Sequence, residues 1–127
     1  MYSKVQLGNY DSLAKAYKKS SPGYSKDIIH LLKFLISSSN QRIKTLDLGS
    51  GTGVFTKEIA KISDHVTGVE LSKEMIDNAH ILKNVNYINH SVNSIRLKKK
   101  FDIFSSASSF HWFDNSKIAK FVNKNLK

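Results

Sequence analysis

A glycine-rich segment in the middle of the chain has the residue types of a ligand-binding turn. Its sequence is Asp47-Leu48-Gly49-Ser50-Gly51-Thr52-Gly53. Glycines in a turn permit positive φ angles and leave no Cβ to keep a ligand away from the backbone, so they make a flat surface. Glu70 follows the first of these glycines by about 20 residues, the spacing at which a carboxylate accepts hydrogen bonds from both hydroxyls of a ribose. Together the two features predict a site for an adenosine-containing ligand.

The register of the glycines narrows the class of ligand. A dinucleotide site requires G-x-G-x-x-G, whose third glycine would stand where this chain has Val54. The register here is G-x-G-x-G, and the lysine of a P-loop is also missing at its required spacing. Asp47 precedes Gly49 by two residues, and its charge repels a pyrophosphate but attracts a cationic amino-acid group. The segment therefore favours an adenosine with a cationic tail over a dinucleotide.

The elements that must position these residues alternate along the chain. Short apolar or β-branched runs bounded by turn residues predict strands at 43–48, 66–70, 85–90 and 101–106. Apolar residues at helical spacing predict helices at 9–18, 25–36, 54–62, 73–82 and around 118–122. In the second of these, Ile28, Leu31, Leu32 and Leu35 form a stripe that predicts one buried face. The alternation predicts an α/β fold, a Rossmann-like doubly wound parallel sheet of about four strands with helices on both faces.

Composition excludes several other classes. A chain of 127 residues is long enough for one domain, which we expect to span 1–127. The absence of cysteine excludes disulfides and cysteine metal sites, and the histidines show no metal-ligand spacing, so we expect no metal. No apolar run reaches the roughly 20 residues of a membrane span, and the amino terminus lacks a secretory signal. We therefore expect a cytoplasmic protein without a membrane partner.

The charge balance raises the question of a nucleic-acid partner. Twenty basic residues against ten acidic ones give a net charge of +10. All the cations except Arg42 and Arg96 are lysines spread along the chain, whereas reading bases and gripping phosphates usually relies on arginine. The pattern favours a solvated lysine-rich surface over a nucleic-acid site.

The glycine segment and Glu70 resemble the first two motifs of the class I S-adenosylmethionine-dependent methyltransferases. Segment 47–53 matches the first motif, and Gly-Val-Glu-Leu-Ser-Lys-Glu-Met-Ile at 68–76 matches the acidic end of the second strand and the helix after it. The resemblance covers residues 9 to 122 and is greatest to the small-molecule branch with trans-aconitate methyltransferase and the type 11 domains. There a Tyr-Asp-x-x-Ala-x-x-Tyr segment, here 10–17, precedes the fold, and an aromatic segment, here 110–114, follows the fourth strand. The resemblance implies S-adenosylmethionine as cofactor and a small-molecule acceptor.

The resemblance also implies the residues that hold this cofactor. Asp47 and the backbone of the glycine turn would receive its methionine part, and Glu70 would hold its ribose hydroxyls. The implied cofactor site comprises Asp47, Gly49, Ser50, Gly51, Gly53, Glu70, Leu71, Met75, Ser91, Val92 and, from the amino-terminal helix, Tyr17.

Two groups of these residues have an alternative explanation or a departure from the family. Leu71 and Met75 would pack against the adenine, but core packing explains apolar residues at helical spacing equally well. Ser91, followed by Val92, stands where the family usually has an acidic residue that reaches the adenine amino group. A hydroxyl accepts such a hydrogen bond less strongly than a carboxylate does.

The acceptor side of the implied site falls after the fourth strand. Methyl transfer is an in-line displacement that needs no metal, and an ionised carboxylate acceptor needs no general base. His111 is the candidate base by position, although a histidine beside Trp112 and Phe113 is more often a wall residue. Trp112 and Phe113 are expected to shape the acceptor pocket. An amino-terminal helical lid at about 9–22 would bring Tyr17 over the site.

The length of the chain leaves alternatives open. Domains of this family continue through a fifth strand and an antiparallel terminal pair, whereas this sequence stops at Lys127. We therefore expect an incomplete sheet whose open edge is covered by self-association or by a partner chain. The alternatives to a small-molecule methyltransferase are a catalytically silent S-adenosylmethionine-binding fragment or subunit and, less favoured, a nucleic-acid methyltransferase.

Overall fold

The computed structural model describes residue 19 and residues 23–37 and 41–127. Its elements, in chain order, are α1 (Lys26–Ile36), β1 (Lys44–Leu48), α2 (Val54–Ile59), β2 (His65–Glu70), α3 (Lys73–Asp77), β3 (Val85–Asn89), β4 (Ile103–Ser105), a 3₁₀ turn (Phe110–Trp112) and α4 (Asn115–Asn125). The predicted lid at 9–22, with Tyr17, lies outside the described residues except for Lys19.

The strands form a parallel sheet, as predicted. Their order is β3-β2-β1-β4. The first two strands are in a register that pairs Leu48 with Val69, and the next pair aligns Glu70 with Asn89. The carboxyl ends of β1, β2 and β3 therefore meet at one edge of the sheet. This edge brings the glycine segment after β1 beside Glu70.

Residues that alternate along the strands feed two apolar clusters, one on each face. Leu46, Leu48 and Val69 face a cluster that α4 covers with Ile118. Val66 faces a second cluster that α2 covers with Ile59. Because successive side chains of a strand point to opposite faces, this division follows from the sequence alternation. The predicted arrangement of helices on both faces is confirmed.

Helix α1 forms where predicted but does not bury the predicted stripe. Ser25 caps its amino terminus by accepting a hydrogen bond from the backbone N–H of Asp27. Its contact with the described core is made by Ile29 and the partly buried Leu32. Four apolar residues of the stripe or beside it stay exposed, namely Ile28, Leu31, Leu35 and Phe34, the last at 75%. The period of the pattern predicts an apolar face, but it does not say how much of that face a neighbour covers.

Helix α3 is shorter than the predicted 73–82. Ser72 caps its start by accepting a hydrogen bond from the backbone N–H of Met75. The helix ends at Asp77, because the Asn78 side chain donates to the carbonyl of Glu74 and the chain then turns to the glycine segment. There the backbone N–H of His80 donates to the carbonyl of Thr52. Helix α2 likewise ends at Ile59 rather than at residue 62.

The final residues run beside the outer edge of β4. Phe101, just before β4, forms a parallel bridge with Leu126. The Phe101 N–H donates to the Asn125 carbonyl at 2.8 Å, and the Lys127 N–H donates to the Phe101 carbonyl at 3.0 Å. Residues 125–127 thus occupy the position of a further parallel strand next to β4. Within the part that the structure describes, no helix is long and apolar enough to cross a bilayer.

Candidate functional site

The glycine segment forms a tight turn fixed to the neighbouring strand. Gly49, Gly51 and Gly53 all have positive φ, at 71°, 56° and 78°. The backbone N–H groups of Gly49 and Ser50 both donate to the carbonyl of Val69, at 2.8 and 3.1 Å. Residues other than glycine rarely adopt these φ values, so the turn requires its glycines.

Glu70 points into this turn. Its Oε2 accepts from the backbone N–H of Gly51 at 2.8 Å, and its Oε1 accepts from the N–H of Ser72 at 2.9 Å. A carboxylate has about four acceptor positions, so each oxygen keeps one for a further donor. The space above Gly51 is open, since a Cβ built there would meet nothing within 4 Å. A partly exposed carboxylate beside an open glycine backbone fits a vicinal diol such as that of a ribose.

Asp47 lies beneath the turn and not in its open face. Its side chain is 1% exposed, and its two oxygens accept from the hydroxyls of Thr56, at 2.6 Å, and Ser105, at 2.8 Å. Burial raises the pKa of Asp47 to about 6, although these two hydrogen bonds oppose the rise. In the structure Asp47 ties the end of β1 to α2 and β4. Its role toward the methionine part of the cofactor stays a prediction. Neither hydroxyl belongs to the sequence motif, and the sequence analysis did not include them.

The chain's own side chains cover the turn at Gly49. A Cβ on this glycine would lie 2.5 Å from Ser109 Oγ and 3.0 Å from Phe113 Cζ. The Ser109 hydroxyl donates to the Gly49 carbonyl at 3.0 Å. The segment after β4 thus packs on the first glycine, while the second remains open. A group that approaches Gly49 from the direction of its missing Cβ would meet Ser109.

Tyr87 supports the turn from below, a role that the sequence analysis missed. Its ring crosses Gly68 of β2, its hydroxyl lies against Gly53, and the hydroxyl donates to the His80 carbonyl at 2.9 Å. Burial raises the pKa of Tyr87 to about 12, so the phenol stays protonated and remains a donor. The glycines at 53 and 68 provide the room for this side chain.

Substitution of Gly68 tests this packing. A Cβ there would lie 2.7 Å from Tyr87 Cδ1 and 2.8 Å from Ser50 Oγ. We expect Gly68→Ala to lower the free energy of unfolding by about 1–3 kcal/mol, as overpacking of a core does. Urea denaturation measures this, with Gly23→Ala as the control because a Cβ at Gly23 meets nothing within 4 Å. Equal stabilities of the two variants would contradict the packing described.

The remaining predicted cofactor residues differ in exposure. Leu71, just beyond β2, is 58% exposed and is free to contact a ligand, whereas Met75 is 2% exposed and packs inside the domain. Ser91 follows β3 on the same edge as Glu70 and is partly buried. Val92 belongs to the core cluster under α4. Burial thus favours core packing for Met75 and Val92 and leaves Leu71 and Ser91 available.

The predicted acceptor residues lie on the 3₁₀ turn and just after it. His111 is exposed, and its ring lies 4.7 Å from that of Trp112, centroid to centroid. Phe113 is partly buried against the α4 cluster and also contacts the turn at Gly49. Phe113 therefore contacts the glycine turn, whereas the described contacts of His111 and Trp112 are with each other. In the described ranges, no three histidine or acidic side chains converge as metal ligands would.

Comparison with known proteins identifies the family. Residues 45–126, which run from the second residue of β1 past the end of α4 and include the glycine turn and Glu70, match the family model described as a methyltransferase domain. The chain belongs to the methyltransferase domain family. Its class I fold is confirmed, and so is the predicted cofactor of this class, S-adenosylmethionine.

Individual relatives support the membership of this methyltransferase domain. It is 30% identical over 112 residues to a malonyl-[acyl-carrier protein] O-methyltransferase of Bacillus cereus, a match that covers 84% of this chain. It is 32% identical over 96 residues, 71% of this chain, to ribosomal RNA small subunit methyltransferase A of Wigglesworthia glossinidia brevipalpis. A solved DhpI–SAH complex superposes with a TM-score of 0.75 at 24% identity, over 96% of this chain and 62% of DhpI, which shows a shared fold.

The methyltransferase domain spans only part of these relatives. It covers 40% of the length of the Bacillus cereus protein and 36% of the Wigglesworthia protein. The sheet described here is correspondingly incomplete compared with full-length family members, as predicted.

Proposed function

We propose that this domain binds S-adenosylmethionine at the carboxyl ends of β1 and β2 and that it takes part in the transfer of the cofactor's methyl group to a small molecule. The observation that carries the proposal is the hydrogen bond from the Gly51 N–H to Glu70 Oε2 at 2.8 Å, beside an open glycine backbone. A carboxylate with two free acceptor positions beside an open backbone supports the proposed ribose role of Glu70. The cofactor supplies an activated methyl group on a sulfonium centre.

The chain's own residues then have distinct tasks. Glu70 accepts both ribose hydroxyls, and the Gly51 backbone lets the nucleoside approach. Leu71 offers an exposed apolar surface for the adenine, with the Ser91 hydroxyl at the same sheet edge for its amino group. Asp47 supplies negative charge under the turn for the cationic amino-acid tail. Placement of donor and acceptor in line provides most of the acceleration that such a transfer needs.

For the acceptor we propose a carboxylate oxygen of a small molecule. The B. cereus relative is named for O-methylation of a malonyl group, whose free end is a carboxylate. A carboxylate is ionised at neutral pH, so His111 need not act as a base and instead forms the exposed rim of the acceptor pocket with Trp112. Phe113 then closes the pocket from the core side.

RNA is a second candidate acceptor, because a relative is named as a ribosomal RNA methyltransferase and the chain carries a net charge of +10. Against it, the basic side chains are nearly all lysines, which suit a general phosphate attraction and not base reading. A third candidate is a domain that binds the cofactor without transfer.

We also propose that a further strand covers the outer edge of β4. Leu126 and Lys127 already pair with Phe101 in the parallel direction. Unpaired strand edges invite pairing with another segment. A partner chain or a second copy of this chain would supply that strand and complete the acceptor side, next to the 3₁₀ turn.

Transfer of labelled methyl from S-adenosylmethionine separates the three functions. We expect label on small dicarboxylic acids or malonyl thioesters, in a form that mild alkali releases as methanol because the product is an ester. Alkali-stable label on RNA would show that the acceptor is a nucleic acid and would contradict the carboxylate acceptor. Binding of S-adenosylhomocysteine without label on any acceptor would leave the silent binder, and absence of binding would contradict the proposal as a whole.

A further inference from the structure

The segment between β4 and the 3₁₀ turn makes an unusual contact with the first glycine of the turn. Ser109 Oγ donates to two carbonyl oxygens, that of Gly49 at 3.0 Å and that of Ala107 at 3.2 Å. One hydroxyl carries one proton, so it serves two acceptors only weakly. The two carbonyls therefore converge on a point that suits a donor with more N–H or O–H groups.

An ammonium group matches this point better than a hydroxyl does. It carries a full positive charge and three donors, so it can donate to both carbonyls in separate bonds. One negative group near this turn is Asp47, which lies beneath it and accepts a hydrogen bond from Ser105 at the end of β4. The amino-acid tail of the proposed cofactor ends in such an ammonium group.

The segment that carries Ser109 contains a strained residue and an unpaired hydroxyl. Ser108, directly before it, has φ at +61°, which a residue other than glycine rarely adopts. The Ser106 hydroxyl is buried without a hydrogen-bond partner. The Ser108 hydroxyl has one exposed partner, the Tyr24 hydroxyl at 3.3 Å. The closed arrangement thus carries backbone strain and an unpaired hydroxyl, both of which movement of the segment would relieve.

We propose that Ser109 is an internal plug whose hydroxyl takes the place of the cofactor's ammonium group, so that cofactor binding displaces it from the Gly49 carbonyl. Phe113, anchored in the α4 cluster, is the point about which the segment moves. Ser109 is then a positioning residue that sets the cost of cofactor entry. This inference rests on the cofactor role proposed above.

Binding titrations with two ligands test the plug. S-adenosylhomocysteine carries the amino-acid tail, and 5′-methylthioadenosine has the same nucleoside without it. We expect Ser109→Ala to bind S-adenosylhomocysteine about two- to tenfold more tightly than the unchanged chain, since the competing hydrogen bond is gone. Affinity for 5′-methylthioadenosine should stay the same. Ser109→Thr keeps the hydroxyl and should not bind S-adenosylhomocysteine more tightly.

Ser37→Ala is the matched control, because the Ser37 hydroxyl also donates to a backbone carbonyl, that of Phe34, at the far end of α1. Equal or weaker binding of S-adenosylhomocysteine by Ser109→Ala, in a chain that binds the ligand, overturns the plug and leaves the cofactor role standing. Equal gains for both ligands also overturn it, since the gain must depend on the tail. If no form of the chain binds either ligand, the cofactor role and the plug fail together.

Discussion

Replacement of Glu70 by alanine should weaken the binding of S-adenosylhomocysteine by about 1 to 3 kcal/mol, or roughly 5- to 150-fold. The variant loses the carboxylate positions that we assign to the ribose. It also frees the N–H groups of Gly51 and Ser72, both of which Glu70 holds. Calorimetric titration at neutral pH measures the change directly.

Two further variants separate the ribose contact from general damage. Glu70→Gln keeps one acceptor oxygen and should fall between the alanine variant and the unchanged chain. Glu58→Ala removes a glutamate on α2 that pairs with the exposed Lys61, and it should leave affinity unchanged. If Glu70→Ala bound the ligand as tightly as the unchanged chain does, the ribose role would be wrong.

Asp47 should make the stability of the fold depend on pH. Its pKa lies near 6 in the folded chain, against 3.8 for an ordinary aspartate, because burial disfavours the charged form. Between these two values the folded state binds the proton more readily than the unfolded state does. The stabilisation from this group is therefore full below pH 3.8 and is lost as the pH rises through about 6, a fall of about 3 kcal/mol by pH 7.

Asp47→Asn isolates this group from the other acids. The amide does not ionise, and the hydroxyls of Thr56 and Ser105 can turn to serve it as donor and acceptor. We expect the difference in unfolding free energy, unchanged chain minus variant, to fall by about 2 kcal/mol between pH 4 and pH 7. Asp77→Asn, an exposed partner of Lys73, is the control and should show no such trend. Parallel pH profiles for Asp47→Asn and the unchanged chain would contradict a buried Asp47 carboxyl with a raised pKa.

The sequence was most informative where structure is decided locally. Gly49, Gly51 and Gly53 require positive φ, and no other residue type allows that turn as easily, so the motif itself predicts the backbone. Glu70 ends a short apolar strand, and parallel pairing must bring that end beside the turn. These two constraints predict that Glu70 lies beside the glycine turn, whereas the hydrogen bond from the Gly51 N–H to its carboxylate is a finding of the structure.

The orientation of Asp47 was less well predicted, although the sequence holds a signal for it. Leu46 and Leu48 face one side of the sheet, so Asp47 between them must face the other, where α2 begins. Its partners Thr56 and Ser105 are 9 and 58 residues away along the chain. Ser105 becomes a neighbour only because β4 pairs beside β1, a strand order that local patterns do not contain.

Contacts between elements distant in the chain account for the rest of what was missed. Tyr87 supports the turn through two glycines, and nothing in the spacing of Gly53, Gly68 and Tyr87 indicates it. Ser109 reaches Gly49 across 60 residues. The exposed face of α1 shows the converse limit, since its pattern predicts a burial that the described part of the chain does not provide.

The central claim is that the open turn at Gly51 and the carboxylate of Glu70 hold the nucleoside of a methyl donor. The most direct measurement is an NMR titration of the isotope-labelled chain with S-adenosylhomocysteine, following the amide signals of Gly51 and Ser72. We expect both signals to shift saturably, with nuclear Overhauser contacts between the Gly51 amide and the ribose protons. Saturable binding that leaves these amides unmoved, or no binding at all, would contradict the site described.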